Sequence, residues 1–534
     1  MIWVLLVLIV LLWALGPWVL VAAGLLLFVP PVRRWVAGKL RFTWRGTGIG
    51  VAVVAVIAGV VVVVPDGTLP IPTMPGVLAA PSYVGRPATA NEVQVQEVPA
   101  HPFLARNGAN TMHNDPWATD SYTWAGPLGE SPEVDTAWYG IEECATLAFD
   151  SKDRLIALCG DIKGPSLHVI DPESMKKVAS KDLPDRGDSE KPPWEDLCGG
   201  AYMYLDSEDR AVLATTDRRI MAVATADGEG DPELSVDETW DLTPQVPEGD
   251  CLIALMPDWE GRIWWITQGG LVGALVPGSG EVQVLDLDEV IANSFAVDET
   301  GGVYVVTDTA FYRLEAGADD APTIAWRSEY DRGSKVKDGQ LSQGSGTTPT
   351  LMDDGVIAIT DNADPRMNVV FYRRESGEEI CRQPVFFDDE SATENSLVSM
   401  GTGVIVENNI GYGSPIKTIL GRAPRGGFAR VDLDGDECSL AWTNDTVSAP
   451  SSVPKGSWAT GLVYAYTKRP SKLGVSTWYV TAIDARTGKH VWSVRTGTGI
   501  LANNHYAATT IAPDGALWIA TLAGMVRVRD RASD

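Results

Sequence analysis

Six cysteines have the clearest potential for chemistry in this sequence, because a cysteine can act as a nucleophile, bind a metal ion or form a disulfide bond. They are Cys144, Cys159, Cys198, Cys251, Cys381 and Cys438. Cys251 stands beside Asp250 at the start of an apolar run, in the stretch GDCLIALMPD, and taken alone it is a candidate nucleophile. The even number of cysteines favours three disulfide bonds if these residues lie in an oxidising compartment.

A second set of candidates consists of acids, amides and a histidine that come just before apolar runs. These residues are Glu143, Asp196, Asp250, Asn293, Glu394, Asn395, Asn503, Asn504 and His505. Their oxygen atoms suit Ca²⁺, a polar organic ligand or ordered water, and they can also simply cap strand ends in a solvated funnel. His505 is the best single candidate for acid–base chemistry. His113, in the stretch NTMHND, belongs either to a segment that plugs one face or binds a partner, or to a structural coil rich in side-chain hydrogen bonds.

The elements that must position these residues are short β-hairpins, which recur from about residue 140 onward. Each hairpin is an apolar run, a turn with Asp or Gly, and a β-branched or aromatic run, as in IALMPDWEGRIWWITQG (253–269). The clearest turn aspartates recur at intervals of 40 to 56 residues: Asp150, Asp206, Asp258 and Asp298. A repeat of this length that holds a few strands predicts the blades of a β-propeller.

One stretch carries a family resemblance. AIDARTGKHVW (482–492) resembles the repeat of pyrroloquinoline-quinone-type propellers, the quinoprotein alcohol dehydrogenase-like family, in which an Asp-x-x-Thr-Gly-Lys turn precedes a strand with Trp. In this turn we expect Asp484 to cap the backbone, Gly488 to adopt a positive φ and Trp492 to pack against the neighbouring blade. VIDPESMKKV and YRRESGEEIC match more loosely.

Eight hairpins predict an all-β, eight-bladed propeller, with seven blades as the alternative. The last unit, 503–530, ends after three strands. Because propellers commonly close the ring with a strand from the other terminus, which leaves no exposed edge, we expect residues 119–126 to supply the missing strand.

The order of the blades predicts how the cysteines pair. The predicted pairs are Cys144–Cys159, Cys198–Cys251 and Cys381–Cys438. The first pair flanks one hairpin turn, the second lies at the entrances of inner strands in consecutive blades, and the third lies in the outer parts of consecutive blades. The alternatives are free thiols and a metal site built from the first, third and fourth cysteines, although no CxxC spacing and no nearby histidine supports that site.

Charge is unevenly distributed along the chain. All 70 acidic residues occur from Asp66 onward, and the net charge of −28 argues against nucleic-acid binding. Residues 2–29 and 48–64 are uncharged and long enough to cross a bilayer, and the loop between them holds five basic residues and no acid. The sequence therefore predicts a transmembrane hairpin over 1–65 with loop 30–47 in the cytoplasm. A signal peptide is the alternative, but a basic n-region is missing.

The rest of the chain divides into two predicted parts. Residues 66–100 are rich in proline and lack apolar periodicity, which predicts an extracytoplasmic spacer. Residues 101–534 comprise the propeller and an N-terminal segment that covers or closes it. We expect the propeller to lie on the outer side of a bacterial plasma membrane.

Three functions remain open. No catalytic motif occurs in a supporting context, so the sequence favours a binding or scaffolding module with a protein partner in the cell envelope. The resemblance implies as an alternative a quinoprotein-like dehydrogenase that delivers electrons to the membrane, with calcium and pyrroloquinoline quinone as cofactors. The third hypothesis is a metal-dependent, lactonase-type hydrolase that uses the second set of candidates, the acids and amides that come before the apolar runs.

Overall fold

Short strands, mostly antiparallel, account for nearly all of the regular secondary structure beyond the N-terminal helices, in keeping with the alternation of apolar runs and turns. A computed structural model describes residues 2–39, 52, 64–106, 108–185, 198, 200 and 202–531. The strands form eight sheets, and these are the eight blades of a β-propeller.

Three helices come first: α1 (Ile2–Leu15), α2 (Trp18–Leu26) and α3 (Pro30–Lys39). Gly16, with a φ of +105°, separates α1 from α2, so the predicted first span is interrupted. No single helix in the described ranges is long and apolar enough to cross a membrane. α2 and α3 meet the length and composition requirements only together, and they are bent by 99° at the break between them. The predicted second span, 48–64, lies almost entirely outside the described residues.

Three strands precede the first blade: β1 (Tyr83–Gly85), β2 (Ser121–Tyr122) and β3 (Pro132–Trp138). Blades 1 to 4 then follow in chain order, each written from the central channel outward. Blade 1 comprises β4 (Glu143–Phe149), β5 (Leu155–Gly160), β6 (Pro165–Ile170) and β7 (Lys177–Asp182). Blade 2 comprises β8 (Met203–Leu205), β9 (Ala211–Ala214), β10 (Arg219–Ala226) and β11 (Pro232–Asp241). Blade 3 comprises β12 (Leu252–Pro257), β13 (Ile263–Thr267), β14 (Leu271–Val276) and β15 (Glu281–Asp286). Blade 4 comprises β16 (Ala296–Val297), β17 (Val303–Val306), β18 (Ala310–Ala316) and β19 (Pro322–Glu329).

Blades 5 to 8 complete the ring. Blade 5 comprises β20 (Thr350–Met352), β21 (Val356–Thr360), β22 (Asn368–Arg373) and β23 (Glu379–Pro384). Blade 6 comprises β24 (Val398–Met400), β25 (Gly403–Glu407), β26 (Phe428–Asp434) and β27 (Glu437–Asn444). Blade 7 comprises β28 (Lys455–Ser457), β29 (Leu462–Arg469), β30 (Thr477–Asp484) and β31 (His490–Thr498). Blade 8 comprises β32 (Thr509–Ile511), β33 (Leu517–Thr521) and β34 (Gly524–Asp530), with β3 as its outermost strand.

Burial follows the position of a strand within its blade. The second strands are covered on both faces and read as continuous apolar runs, such as IWWIT in β13, whose residues are all buried. The outermost strands alternate between less and more exposed residues, as in KVASKD of β7. The apolar core therefore lies between neighbouring blades.

The turns between first and second strands are built on the predicted aspartates. Asp150 Oδ1 accepts the backbone N–H groups of Lys152 (3.0 Å) and Arg154 (2.8 Å), and Arg154 Nε donates to the other carboxylate oxygen at 2.7 Å. The same Asp-x-x-x-Arg arrangement recurs at Asp206 and at Asp258. Each aspartate thus satisfies the turn backbone and also pairs with an arginine.

The turn that carries the family resemblance forms as predicted. Asp484 Oδ1 accepts the backbone N–H groups of Arg486 and Thr487, and Gly488 has a φ of +68°. Trp492 is fully buried and packs against Gly129, just before the outermost strand of the next blade. A Cβ atom at Gly129 would come within 2.8 Å of the indole ring, so glycine is required there.

Ring closure differs from the prediction. β3, at residues 132–138, pairs antiparallel with β34 and completes blade 8, whereas the predicted stretch 119–126 lies at the channel, where β2 pairs in parallel with β28 of blade 7. The prediction of residues 119–126 as the closing strand was therefore wrong. Opposite charges explain the register, because Glu133 faces Arg529 and Asp135 faces Arg527 across the two strands.

The proline-rich segment lies against the propeller. Met74 N donates to Thr498 O at 3.1 Å, and β1 adds an edge strand to blade 7 by pairing with β31. Further along, Val93 N donates to Trp458 O at 2.9 Å. Although its sequence has no apolar periodicity, the segment is held by backbone hydrogen bonds. The domain boundaries at residues 65 and 100 stay a prediction.

All three predicted disulfide bonds are present. Their Cα–Cα distances are 3.7 Å for Cys144–Cys159, 5.4 Å for Cys198–Cys251 and 6.0 Å for Cys381–Cys438. The first two cysteines are directly opposed in β4 and β5, as their positions around the turn predict. Cys251 is therefore not a free nucleophile.

Candidate functional site

The loops that enter the first strands of the blades converge on one face of the propeller, which we call the entry face. They surround a cavity of about 620 Å³, the funnel. Residues at the entries of several blades line it, including Ile141, Glu143, 292–293, 394–396 and 505–507. This position follows from the topology, because every chain entry to an inner strand lies on the same face of a propeller.

The opposite end of the channel is closed by residues 104–106 and 108–122, which we call the plug. Its carbonyl groups accept backbone hydrogen bonds of 2.8–2.9 Å from the inner strands of blades 1, 2, 4, 5, 6 and 7. The donor–acceptor pairs are Phe149–Ala109, Leu205–Asn110, Val297–Pro116, Leu351–Trp117, Ser399–Thr119 and Gly456–Asp120. Met112 and His113 of the plug line the inner end of the funnel. The funnel is thus open at the entry face and closed by the plug.

Five of the predicted site residues line the funnel together. They are Glu143, Asn293, Glu394, Asn395 and His505. Asn395 is also part of the wall, because its Nδ2 donates to Glu407 Oε2 at 2.8 Å behind the surface of the funnel. His113 lines the funnel as well, so the segment around it plugs one end of the channel.

The other predicted residues lie elsewhere. Asp250 Oδ1 accepts the backbone N–H groups of Cys251 and Gly269, both at 2.8 Å, so this carboxylate holds its own loop together. Asn504 is buried behind the wall, where Nδ2 donates to Ala507 O at 3.0 Å and to Ala520 O at 2.8 Å. Asn503 is buried beside it and accepts the backbone N–H of His505. Asp196 lies outside the described residues.

Two carboxyl groups of the funnel each have one oxygen atom without a hydrogen-bond partner. Oε1 of Glu143 and Oε1 of Glu394 are both buried with no partner in the structure. Loss of solvent on burial raises the pKa of Glu143 well above its usual range. It also raises the pKa of Glu394 to about 8, although a backbone hydrogen bond from Leu341 acts in the opposite direction. Both groups therefore hold a proton at neutral pH when the funnel is empty.

Tyrosine side chains complete the polar part of the funnel. Burial raises the pKa of Tyr202 and of Tyr506, and the charge of Glu394 raises both further. The Tyr506 hydroxyl is buried and has no hydrogen-bond partner. Tyr506 and His505 are consecutive residues with positive φ angles of 63° and 42°, a backbone conformation that costs free energy for residues with a Cβ atom. No motif in the sequence points to these tyrosines.

An ion pair supports the plug beneath the funnel. Lys455 Nζ pairs with the Asp120 carboxylate, and both side chains are completely buried. Asp120 also accepts a hydrogen bond from Ser396 and lies 3.1 Å from His113 Nδ1. Burial acts to raise the pKa of Asp120, but the charges of Lys455 and His113 outweigh it and hold the pKa below its usual value. Asp120 therefore stays ionised, and its contact with Lys455 fixes the plug to blade 7.

The charge of the funnel limits what it can hold. Among the described residues, no arginine or lysine lines the funnel. Pyrroloquinoline quinone carries three carboxyl groups that need cationic partners, and the described lining offers none. Nor does the described part of the chain contain a group of three or more His, Cys, Asp or Glu side chains placed to hold a metal ion. The residues present do not fit a calcium–quinone pair.

Comparison with known proteins gives the fold but not a family. No protein-family model matches the chain. An uncharacterized protein of Archaeoglobus fulgidus is 31% identical over 324 residues, or 53% of this chain, and the chain spans 62% of that relative's length. The chain is similar in structure to the quinohemoprotein alcohol dehydrogenase of Comamonas testosteroni, with 11% identity, 81% of each chain covered and a TM-score of 0.51. BamB of Moraxella catarrhalis aligns with 12% identity over 74% of this chain and 99% of its own, with a TM-score of 0.43. At 11% identity, the similarity to the dehydrogenase shows a shared fold alone.

Proposed function

We propose that this protein is a membrane-tethered, extracytoplasmic β-propeller that serves the cell envelope as a binding or scaffolding module through its entry face. The funnel carries the proposal. It has about 620 Å³ of space, a size typical of small-ligand sites, and two buried carboxyl oxygens in it have no partner. An unpaired buried polar group costs about 1–3 kcal/mol, so a ligand that pairs with these oxygens regains free energy on binding.

Tethering and location rest on separate observations. The side chains of α1 and α2 are apolar, and large ones such as Val7, Ile9 and Val21 are more than half exposed, as expected for helices that contact lipid. Three disulfide bonds favour an oxidising compartment and therefore the outer side of the membrane. The cytoplasmic loop over residues 30–47 and the second span remain part of this proposal.

A pull-down tests the proposal directly. The tagged full chain is purified from gently solubilised membranes, and its proteins, small molecules, metals and absorbance are analysed in one sample. Ala292→Trp should block the funnel, because Ala292 lines it, and Ala321→Trp is the matched control in a turn on the opposite face of the same blade. We expect a bound molecule or protein with the natural chain and the control, and its loss with Ala292→Trp.

The other outcomes of the pull-down are equally informative. Equal recovery with all three proteins would contradict a function at the entry face. Stoichiometric calcium with quinone-dependent dye reduction would support the dehydrogenase alternative. Metal-dependent hydrolysis of a lactone panel would support the hydrolase.

A further inference from the structure

The funnel has an excess of acid and no counter-charge. Glu143 and Glu394 both line it, each with a buried oxygen that has no hydrogen-bond partner. Lys455, which contacts the plug, is already paired with Asp120 and completely buried. Asp161, a further acid of the lining, accepts backbone N–H groups of its own loop from Lys163 and Gly164. A ligand that brings a positive charge would therefore supply what the funnel lacks.

The aromatic groups of the funnel also suit a cation. Tyr202 and Tyr506 line it, and both lie close enough to Glu394 to feel its charge. Tyr412 lies behind them, with its ring centre 5.5 Å from that of Tyr506, and it is near enough to Glu143 for the same effect. Carboxylates combined with aromatic rings are the usual protein environment of ammonium groups.

The mouth of the funnel is apolar and exposed. Ile162 and Ile141 line it with 85% and 71% of their surfaces exposed, and Leu341 and Ile416 are also exposed. Such a patch on a protein surface indicates contact with an apolar body. We call these four residues the rim.

The rim lies on the same side of the molecule as the N-terminal helices. Leu420 is exposed four residues after Ile416, and Gly474 lies near both Leu420 O and the ring of Pro17, the N-cap residue of α2. A Cβ atom at Gly474 would come within 3.0 Å of Pro17 Cγ. The mouth of the funnel is therefore adjacent to the apolar segment that we propose to be in the membrane.

We propose that the funnel binds an amphiphilic amine, with its ammonium group at the carboxyl groups of Glu143 and Glu394 and its apolar body against the rim. This inference rests on the proposed binding function and specifies the chemistry of its ligand. The amine either comes from the bilayer next to the rim or from solution.

Proton exchange distinguishes an amine from a neutral ligand. The carboxyl groups are protonated in the empty funnel and must ionise to pair with an ammonium group. An ammonium ion that enters keeps its own protons, so each carboxyl group that pairs with it releases one proton to the buffer. A neutral alcohol of the same length leaves the carboxyl groups protonated and releases none.

Calorimetry with four probes tests the proposal. The full chain in phosphatidylcholine nanodiscs is titrated with octylammonium, octanol, octanoate and ethylammonium, and empty nanodiscs correct for partition into lipid. We expect octylammonium to bind with a stoichiometry of one, at least about tenfold more tightly than octanol or ethylammonium, and octanoate to bind most weakly. The heat of octylammonium binding should vary with the ionisation enthalpy of the buffer, as proton release requires.

Matched variants locate the binding. Glu143→Gln and Glu394→Gln keep the shape of the side chain and should each weaken octylammonium binding by about tenfold or more without changing octanol binding. Glu375→Gln, at an exposed glutamate in a turn, should change neither. A further titration uses nanodiscs whose bilayer contains octadecylammonium. If this lipid-bound amine prevents octylammonium from binding, the ligand comes from the bilayer. If octylammonium still binds, the ligand is a soluble amine.

Two results would overturn the proposal in different ways. Equal binding of octanol and octylammonium, or no effect of either glutamine variant, would refute the amine and leave the funnel as a ligand site. Failure of all four probes to bind, together with recovery of a partner by the Ala292→Trp variant, would refute the funnel itself as the functional site.

Discussion

Replacement of Asp120 by asparagine is expected to destabilise the protein strongly. The substitution keeps the size of the side chain and removes the negative charge that faces Lys455 at the centre of the propeller. Among the described residues, Asp120 is the only carboxylate that pairs with Lys455. The other hydrogen-bond partner of Lys455 is the carbonyl oxygen of Met112. The variant therefore leaves a positive charge buried and unpaired.

The size of the effect follows from the burial of both groups. Removing one partner of a buried ion pair costs about 3–5 kcal/mol, whereas an exposed pair contributes about 0–1 kcal/mol. Both side chains are completely buried, so the larger range applies. In the converse variant, Lys455→Met, Asp120 keeps His113 and Ser396 as partners. We therefore expect a smaller decrease in the free energy of unfolding.

Denaturant unfolding of the full chain in nanodiscs, followed by tryptophan fluorescence, measures these losses. The double variant Asp120→Asn with Lys455→Met removes both charges, and we expect it to be more stable than Asp120→Asn alone, because no charge is left unpaired. Glu375→Gln, at an exposed site, is the control. A loss below about 1 kcal/mol for Asp120→Asn would refute the role of this pair in fixing the plug.

Three further outcomes are expected from the same assay. Replacing Cys198 and Cys251 by serine should cost about 4 kcal/mol, since the bond joins residues 53 positions apart, and reduction of the natural protein should give a larger loss because it breaks all three bonds. Burial acts to raise the pKa of Glu142, but a buried histidine and a lysine hold it at about 2, below the ordinary 4.5. Its stabilisation of about 3 kcal/mol is therefore complete above pH 4.5 and is lost as the pH falls towards 2, and Glu142→Gln should abolish this part of the acid dependence. Desolvation raises the pKa of Glu394 to about 8, so the folded state loses stability as the pH rises from 4.5 to 8. Glu394→Gln should therefore stabilise the protein at pH 8.5, by no more than about 5 kcal/mol, and leave it unchanged at pH 4.

The propeller was predictable because its repeat is local. Each blade contributes an apolar run, a turn and a second run, and these patterns need no knowledge of distant contacts. Two of the disulfide pairs could be predicted from the repeat, because cysteines at equivalent places in consecutive blades lie near each other. A stronger signal was present in the stretches DSKDR, DSEDR and DWEGR, where an arginine four residues after the turn aspartate binds that same carboxylate.

Ring closure was not predictable from strand character alone. The stretches 119–126 and 132–138 are both short and mixed in composition. They differ in their partner strands, which are β28 for the first and β34 for the second. The alternating charges of β34 match Glu133 and Asp135 of β3, and this complementarity decides the register. A search for charge complementarity with the last strand would have identified the closing segment.

The candidate site was predictable only in part for a similar reason. Topology brings the entry loops together, so Glu143, Glu394 and His505 share the funnel. Whether a given side chain points into the funnel depends on its local hydrogen bonds, and Asp250 is used by its own loop. The buried partners of the plug, such as Lys455, lie far along the chain from it and leave no local pattern.

One continuous segment connects the proposed tether, the floor of the funnel and the closure of the ring. From residue 64 it passes the edge of blade 7, forms the plug and ends as the outermost strand of blade 8. The repeats that begin at β4 therefore cannot form the funnel by themselves, because they lack both its floor and the strand that completes the last blade. A change that detaches β3 from β34 would also release the chain next to the plug, since nine residues, 123–131, connect β2 at the channel to β3. Ligand binding in the funnel and integrity of the ring are thus coupled through the same stretch of chain, which also leads to the N-terminal helices.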